Sequence, residues 1–99
     1  MPAYVIAEIE VHDQKRYEEY KRQAPATIAA HGGRYRARGG EVELLEGSRP
    51  AARSVILEFP DAAAARRWWS SEEYMRIRGI REQSARSRIL LLEPPPDGE

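Results

Sequence analysis

Four consecutive apolar residues, Ile89-Leu90-Leu91-Leu92, lie in a strand-length segment from Ser87 to Glu93. Successive side chains of an extended chain point to opposite faces, so this strand is apolar on both. Such a strand needs cover on two sides, and one layer of helices supplies only one. No other feature of the chain constrains its fold as much.

The remaining segments supply a sheet and that one layer. Ala3 to Val11 reads as a strand, with Val5, Ala7, Ile9 and Val11 on one face and Tyr4, Ile6, Glu8 and Glu10 on the other. Asp13 suits the N-cap of a helix. Along that helix Tyr17, Tyr20, Ala24 and Ile28 recur at three- and four-residue steps. Pro25 predicts a kink, or a second short helix beginning there. Gly32-Gly33 ends the helix. Arg34 to Arg38 alternates as a second strand. Beyond Gly39-Gly40, the run Glu41 to Glu46 extends the strand pattern, so the glycine pair is either a bulge in one long strand or a hairpin turn. Gly47 to Ala52 is a loop. Arg53 to Phe59 is a strand with Val55, Leu57 and Phe59 on one face. Asp61 caps a helix over Ala62–Trp69. Ser70 with Glu73 forms a capping box for a fresh helix from Ser71 to Ser84. Ser87 to Glu93 is the last strand, and Pro94 to Glu99 is expected to fray as a disordered tail.

The order β-α-β-β-α-β suits an α+β, ferredoxin-like antiparallel sheet with helices on one face, a single domain over residues 1–93. The helix-free face then carries Tyr4, Ile6, Ile56 and one side of the Ile89–Leu92 run. The economical cover for that surface is a second copy, giving a homodimer with a barrel-like core. Reversing the register of the first strand would put Val5 to Val11 on the dimer face and leave this argument unchanged.

Composition removes other classes. In 99 residues, Lys+Arg 16 balances Asp+Glu 16, whereas a nucleic-acid binder needs a large positive excess. The same balance gives no attraction to an anionic membrane. With Cys 0 there is no disulfide, thiolate nucleophile or cysteine zinc site. No apolar run approaches the roughly 20 residues that span a bilayer, and no secretory signal opens the chain. The expectation is a small soluble cytoplasmic domain needing no cofactor.

Several residues carry candidate chemistry. Glu8 and Glu58 fall on the same face of neighbouring strands, and Arg34, Arg36 and Arg38 fall on one side of theirs. Such a cluster inside a barrel would bind a polar ligand or raise a carboxyl pKa for proton transfer. The competing reading is a structural salt-bridge network. His31, where the first helix ends, suits a general base or a ligand to metal or haem, or simply a cation at a helix C-terminus. His12 is expected in solvent. The aromatic residues Tyr17, Tyr20, Trp68, Trp69 and Tyr74 would line a pocket for a flat ligand or form core. Trp69 is the best candidate to leave the core, because adjacent tryptophans cannot both face one stripe. Arg76, Arg78, Arg81, Arg86 and Arg88 read as a solvated basic face rather than an anion clamp. Neither a phosphate loop nor a nucleophile elbow occurs.

Several short motifs occur in a characteristic order. They are Met1-Pro2-Ala3-Tyr4-Val5-Ile6, Tyr17-Glu18-Glu19-Tyr20, Ile28-Ala29-Ala30-His31-Gly32-Gly33-Arg34-Tyr35 with Arg38-Gly39-Gly40, Leu57-Glu58-Phe59-Pro60, and Ser71-Glu72-Glu73-Tyr74 before Ile77-Arg78 and Ile80-Arg81. Together they resemble the small bacterial family known as domain of unknown function 1330, from Met1 to about Glu93. The resemblance implies membership of the dimeric α+β barrel superfamily and hence a homodimer of ferredoxin-like protomers. Superfamily relatives include cofactor-free monooxygenases of aromatic polyketides, lactone isomerases and haem-binding enzymes. Arg38, Glu58, Tyr74, Arg78 and Arg81 match recurrent positions of the family, which has no settled reaction.

The leading expectation is a homodimer that binds or transforms a small organic metabolite without metal, by cofactor-free oxygenase- or isomerase-like chemistry. Arg38 would anchor an anionic or carbonyl group, and Glu58 or His31 would move a proton. Tyr20, Trp69, Tyr74, Arg78 and Glu8 complete the binding candidates. The alternative is a non-catalytic dimeric structural or regulatory module, favoured if every interior Arg and Glu is paired. Haem binding through His31 is the least supported reading.

Overall fold

The computed structural model describes residues 1–48 and 53–95. Its elements are β1 (Ala3–Val11), α1 (Gln14–Ala29), β2 (Arg34–Arg38), β3 (Arg53–Phe59), α2 (Ala62–Ser70), α3 (Glu72–Ser84) and β4 (Ala85–Leu92). The sheet is antiparallel in the order β2-β3-β1-β4. Val5, Ala7 and Ile9 of β1 and Val55, Leu57 and Phe59 of β3 join residues of all three helices in one buried core. The helices therefore cover the Val5 face, and the reversed register does not occur. Arg49 to Ala52, in the expected loop, and Pro96 to Glu99, in the expected tail, lie outside the described residues.

Alternation explains the strands, and the caps explain most helix ends. The Asp13 carboxylate accepts the Arg16 N–H at 3.1 Å, and the Asp61 carboxylate accepts the Ala64 N–H at 2.8 Å. Gly32, at φ 77°, turns the chain out of α1 in a conformation that disfavours any residue with a Cβ. The third cap corrects the expected one. Ser71, not Ser70, accepts the Tyr74 N–H at 3.2 Å and donates to the Trp68 carbonyl at 2.8 Å. Ser70 is instead the last residue of α2, its hydroxyl donating to the Arg66 carbonyl.

Three further expectations are corrected. First, of the two alternatives expected at Pro25, the second helix does not form, because α1 runs from Gln14 to Ala29 with Pro25 inside it. Proline has no N–H for the carbonyl one turn earlier, which is Lys21. Arg38 fills the gap, its guanidinium donating to the Lys21 carbonyl at 2.7 Å. Second, Glu41 to Glu46 forms no strand, so Gly39-Gly40 is neither an internal bulge nor a hairpin turn. Arg38 pairs with Val55 and the Gly39 N–H bonds the Ser54 carbonyl, so β3 has almost run out of residues to pair. Third, the register shifts between Tyr35 and Ala37, with Arg36 as the extra residue of a bulge. Arg34 lies opposite Glu58 on the helix-free face, but Arg38 lies opposite Val55 on the helix face. The expectation that Arg34, Arg36 and Arg38 share one side fails because a bulge reverses alternation beyond it.

Candidate functional site: a tyrosine and arginine cavity between helices and sheet

The helix α3 buries Tyr74, Ile77, Arg81 and Ser84. These positions follow three- and four-residue steps, so Arg81 belongs to the apolar stripe and not to a solvated face. Arg81 is 4% exposed. Among the described residues no carboxylate lies within 4.0 Å of it, and its Nε has no hydrogen-bond partner. A buried charge without a counter-ion is costly, which makes this residue the least expected feature of the interior. Sequence reasoning missed it by grouping it with its arginine neighbours. The step from Tyr74 through Ile77 was the available signal.

Two phenols stand beside the guanidinium. The Tyr20 and Tyr74 hydroxyls share a hydrogen bond of 2.8 Å, and Arg81 lies 5.9 Å from the Tyr20 ring centroid. Burial pushes the Tyr20 phenol well above its ordinary pKa, and the Tyr74 hydroxyl adds to the effect against the pull of Arg81. Burial also raises Tyr17 and Tyr35, opposed by Arg53 and Arg38 respectively. Burial works against the charge on Arg81, but Tyr74 and Tyr20 outweigh it and leave the guanidinium more basic than usual. At neutral pH the Tyr20 phenol therefore keeps its proton and the Arg81 guanidinium keeps its charge. A hydrogen-bonded phenol pair uses one of its two protons internally and keeps one to donate.

A cavity of about 30 Å³ opens between α1, α3 and the sheet, walled by Tyr17, Tyr20, Tyr35 and Tyr74 with Arg38 and Arg53. A wider space of about 270 Å³ adjoins it and shares Ile9, Tyr17, Lys21 and Arg53. Among the described residues no carboxylate lines either space. The site is rich in donors and cations, an arrangement that stabilises an anion where water is excluded.

The structure disperses the other candidates. Glu58, on the helix-free face, takes Arg36 at 3.3 Å and Arg34 at 3.5 Å. Glu8, on the same face, takes Arg88 at 2.9 Å. Glu58 lies opposite Tyr4 and Glu8 opposite Ser54, about 13 Å apart along the strands, so they do not form the expected pair. His31 closes α1, its Nδ1 3.1 Å from the Thr27 carbonyl and its Nε2 3.6 Å from Glu73 at the start of α3. Arg38 therefore shares the cavity with Tyr20 and Tyr74, while Glu58, Glu8 and His31 stand elsewhere. Trp69 is 36% exposed and lies under Arg78, whose guanidinium is 4.5 Å from the ring centroid. It borders an apolar cleft of about 490 Å³ beside β4. That cleft is larger than the tyrosine cavity but chemically poorer, because its one charged residue, Arg66, is held by Glu93 at 2.7 Å. Among the described residues no group of three or more His, Asp or Glu side chains stands close enough to hold a metal ion, and no helix is long and apolar enough to cross a membrane.

This architecture is the ferredoxin-like fold. The chain belongs to the family described as Domain of unknown function (DUF1330), which matches residues 2–94. No curated protein matches the sequence. Among solved structures it is similar to a protein of unknown function from Rhodopseudomonas palustris, at 20% identity and a TM-score of 0.77, covering 95% of this chain and 82% of that one. A dimeric ferredoxin-like protein of unknown function from Jannaschia sp. CCS1 aligns at 17% identity and a TM-score of 0.73, covering 94% and 99%. SnoaB, a cofactor-independent oxygenase from Streptomyces nogalater, aligns at 15% identity and a TM-score of 0.64, covering 95% and 93%.

Proposed function

We propose that this protein is a homodimer that holds a small organic acid or enol as its anion in the wider space of about 270 Å³, with its charged end at the tyrosine and arginine cavity that adjoins it, in the service of cofactor-free oxygenase- or isomerase-like chemistry. The observation that carries the reading is the lining of that cavity, where Tyr20 and Tyr74 stand with Arg38 and Arg53 and no carboxylate of the described residues, with Arg81 buried 5.9 Å from the Tyr20 ring centroid. A cation in such surroundings favours the ionised form of any acidic group brought to it. Among the described residues the cavity supplies no carboxylate base, so the ligand must be acidic enough to ionise near neutral pH once this field acts on it. An enol, a phenol with electron-withdrawing substituents or a carboxylic acid meets that condition. The resulting anion is the species both kinds of chemistry require. A cofactor-independent oxygenase on the same fold is consistent with this use of the architecture. The homodimer is supported by the dimeric description of the Jannaschia neighbour and by the apolar helix-free face.

The test is a thermal-shift screen of planar enols, phenols and aromatic acids against the protein and its Arg81→Met variant. Methionine matches the length of the arginine stem without its charge, so the variant should keep its stability or gain up to about 2 kcal/mol. Ligands that raise the wild-type midpoint should lose that effect in the variant. A folded Arg81→Met protein that binds the same ligands equally well would overturn the reading. A screen without a single ligand would favour the non-catalytic module.

A further inference from the structure

We propose that segment 41–46 of each protomer crosses to the other and pairs along the free edge of that chain's β4. The proposal rests on the homodimer read above and says how its two sheets meet. Glu41-Val42-Glu43-Leu44-Leu45-Glu46 alternates like a strand but forms none, because β3 has almost run out of residues to pair. All six residues are exposed, Leu44 at 47% and Leu45 at 89%. Apolar side chains along an unpaired stretch of backbone suit addition to a sheet edge. The sheet has two edges, β2 and β4. The β4 of the same chain lies three strand spacings from β2, about 14 Å away, and the segment does not pair with it.

Charge selects β4 of the second copy. The segment carries three acids and no base. Arg86 and Arg88 of β4 are exposed, on the helix-free face opposite Glu10 and Glu8 of β1. Arg88 is held by Glu8 at 2.9 Å, but among the described residues no carboxylate lies within 4.0 Å of Arg86. On the other edge, Arg34 and Arg36 of β2 already share Glu58. Position agrees with charge. The Gly39 N–H bonds the Ser54 carbonyl, and Ser54, Glu8 and Arg88 form one row across the sheet. Gly39 and Gly40, at φ 76° and 95°, turn the chain out of the line of β2. The segment therefore leaves its own sheet at the level of Arg88, and Glu41, two residues on, stands near the level of Arg86. A two-fold axis parallel to the strands keeps that level and exchanges the two edges, bringing the end of β2 to β4 of the second copy. Within one sheet β2 and β4 run in opposite directions, and such an axis preserves direction. The added pairing is therefore antiparallel, and it covers the edge that each sheet leaves open.

Two variant chains test the exchange. One carries Glu41→Lys with Glu43→Lys and reverses the segment; the other carries Arg86→Glu and reverses the edge. All three positions are exposed, so both chains should fold. Sedimentation equilibrium should show each variant dimerising about tenfold or more weakly than the wild-type protein, because the two-fold axis repeats the like-charge contact. An equimolar mixture should recover the wild-type affinity to within about threefold, because each chain of the mixed dimer then meets the opposite charge on both contacts. Variants that dimerise like the wild-type protein, or a mixture as weak as its components, would overturn the pairing while the dimer itself stands. Weakening by the lysine pair alone, with Arg86→Glu unaffected, would put the segment on another surface and overturn it equally. A wild-type protein of single chains would remove this pairing and the homodimer together.

Discussion

Tyr20 shows how a single side chain ties stability to the chemistry of the cavity. Its phenol is buried, paired with Tyr74 at 2.8 Å and held well above its ordinary pKa. In the unfolded chain the same phenol ionises near pH 10. Because the folded-state pKa is the higher one, the native protein keeps the proton after the unfolded chain has lost it. The stabilisation is complete below about pH 10 and disappears as pH rises towards the folded pKa. Denaturant unfolding between pH 8 and 11 should therefore fall more steeply in the wild-type protein than in Tyr20→Phe. At neutral pH the variant should be weaker by about 1 kcal/mol, for the lost hydrogen bond. Parallel profiles would show that the phenol is not buried in this way. The residue scale was also where the sequence misled most. Arg81 stands among arginines that do face solvent, and only its place on the Tyr74-Ile77 stripe distinguishes it.

The elements depend on compensation between distant segments. Pro25 removes the amide that would serve the Lys21 carbonyl, and Arg38, at the end of β2, replaces it at 2.7 Å. The bulge at Arg36 is what allows this, because it moves Arg38 to the helix face. Helix and strand are thus coupled through one hydrogen bond. A double-mutant cycle measures it. Arg38→Ala should cost about 1 kcal/mol with Pro25 present, and much less in a Pro25→Ala background, where the helix supplies its own donor. A coupling of about 0.5 kcal/mol or more in urea unfolding is expected; strict additivity would mean that the two residues do not act together. The strand and helix boundaries themselves were largely legible. Alternation marked Ala3–Val11, Arg34–Arg38 and Arg53–Phe59, and the break between α2 and α3 was visible in the Ser70-Ser71 pair. The capping residue was misplaced by one position because both serines fit the local pattern, and only the trajectory of the chain after Trp68 selects between them.

On the scale of the whole molecule, the helix-free face is what the proposed homodimer rests on. Ile6 and Ile56 are half-buried there and Leu90 and Leu92 are 42% and 54% exposed, with Glu8–Arg88 and Glu58–Arg34 pairs around them. A greasy centre bordered by ion pairs suits association with an identical surface. Sedimentation equilibrium should give twice the 11.3 kDa of one chain. Leu90→Glu, opposite Ile6 in the sheet, should shift the protein towards single chains and lower its unfolding midpoint at equal protomer concentration, because folding then loses the free energy of association. A wild-type protein of 11.3 kDa in solution would remove the dimer.

The order of strands and helices and the two apolar faces of β1 were written in the sequence, and the structure chose which of those faces meets the helices. Periodicity is local, and hydrophobic burial follows it directly. The side of the sheet on which Arg38 lies, the separation of Glu8 from Glu58 and the company that Arg81 keeps were decided only by the tertiary structure. Each depends on strand register or on how one helix packs against another. Register and packing are set by the sum of many contacts between segments distant in the chain, and no single stretch of residues carries that sum.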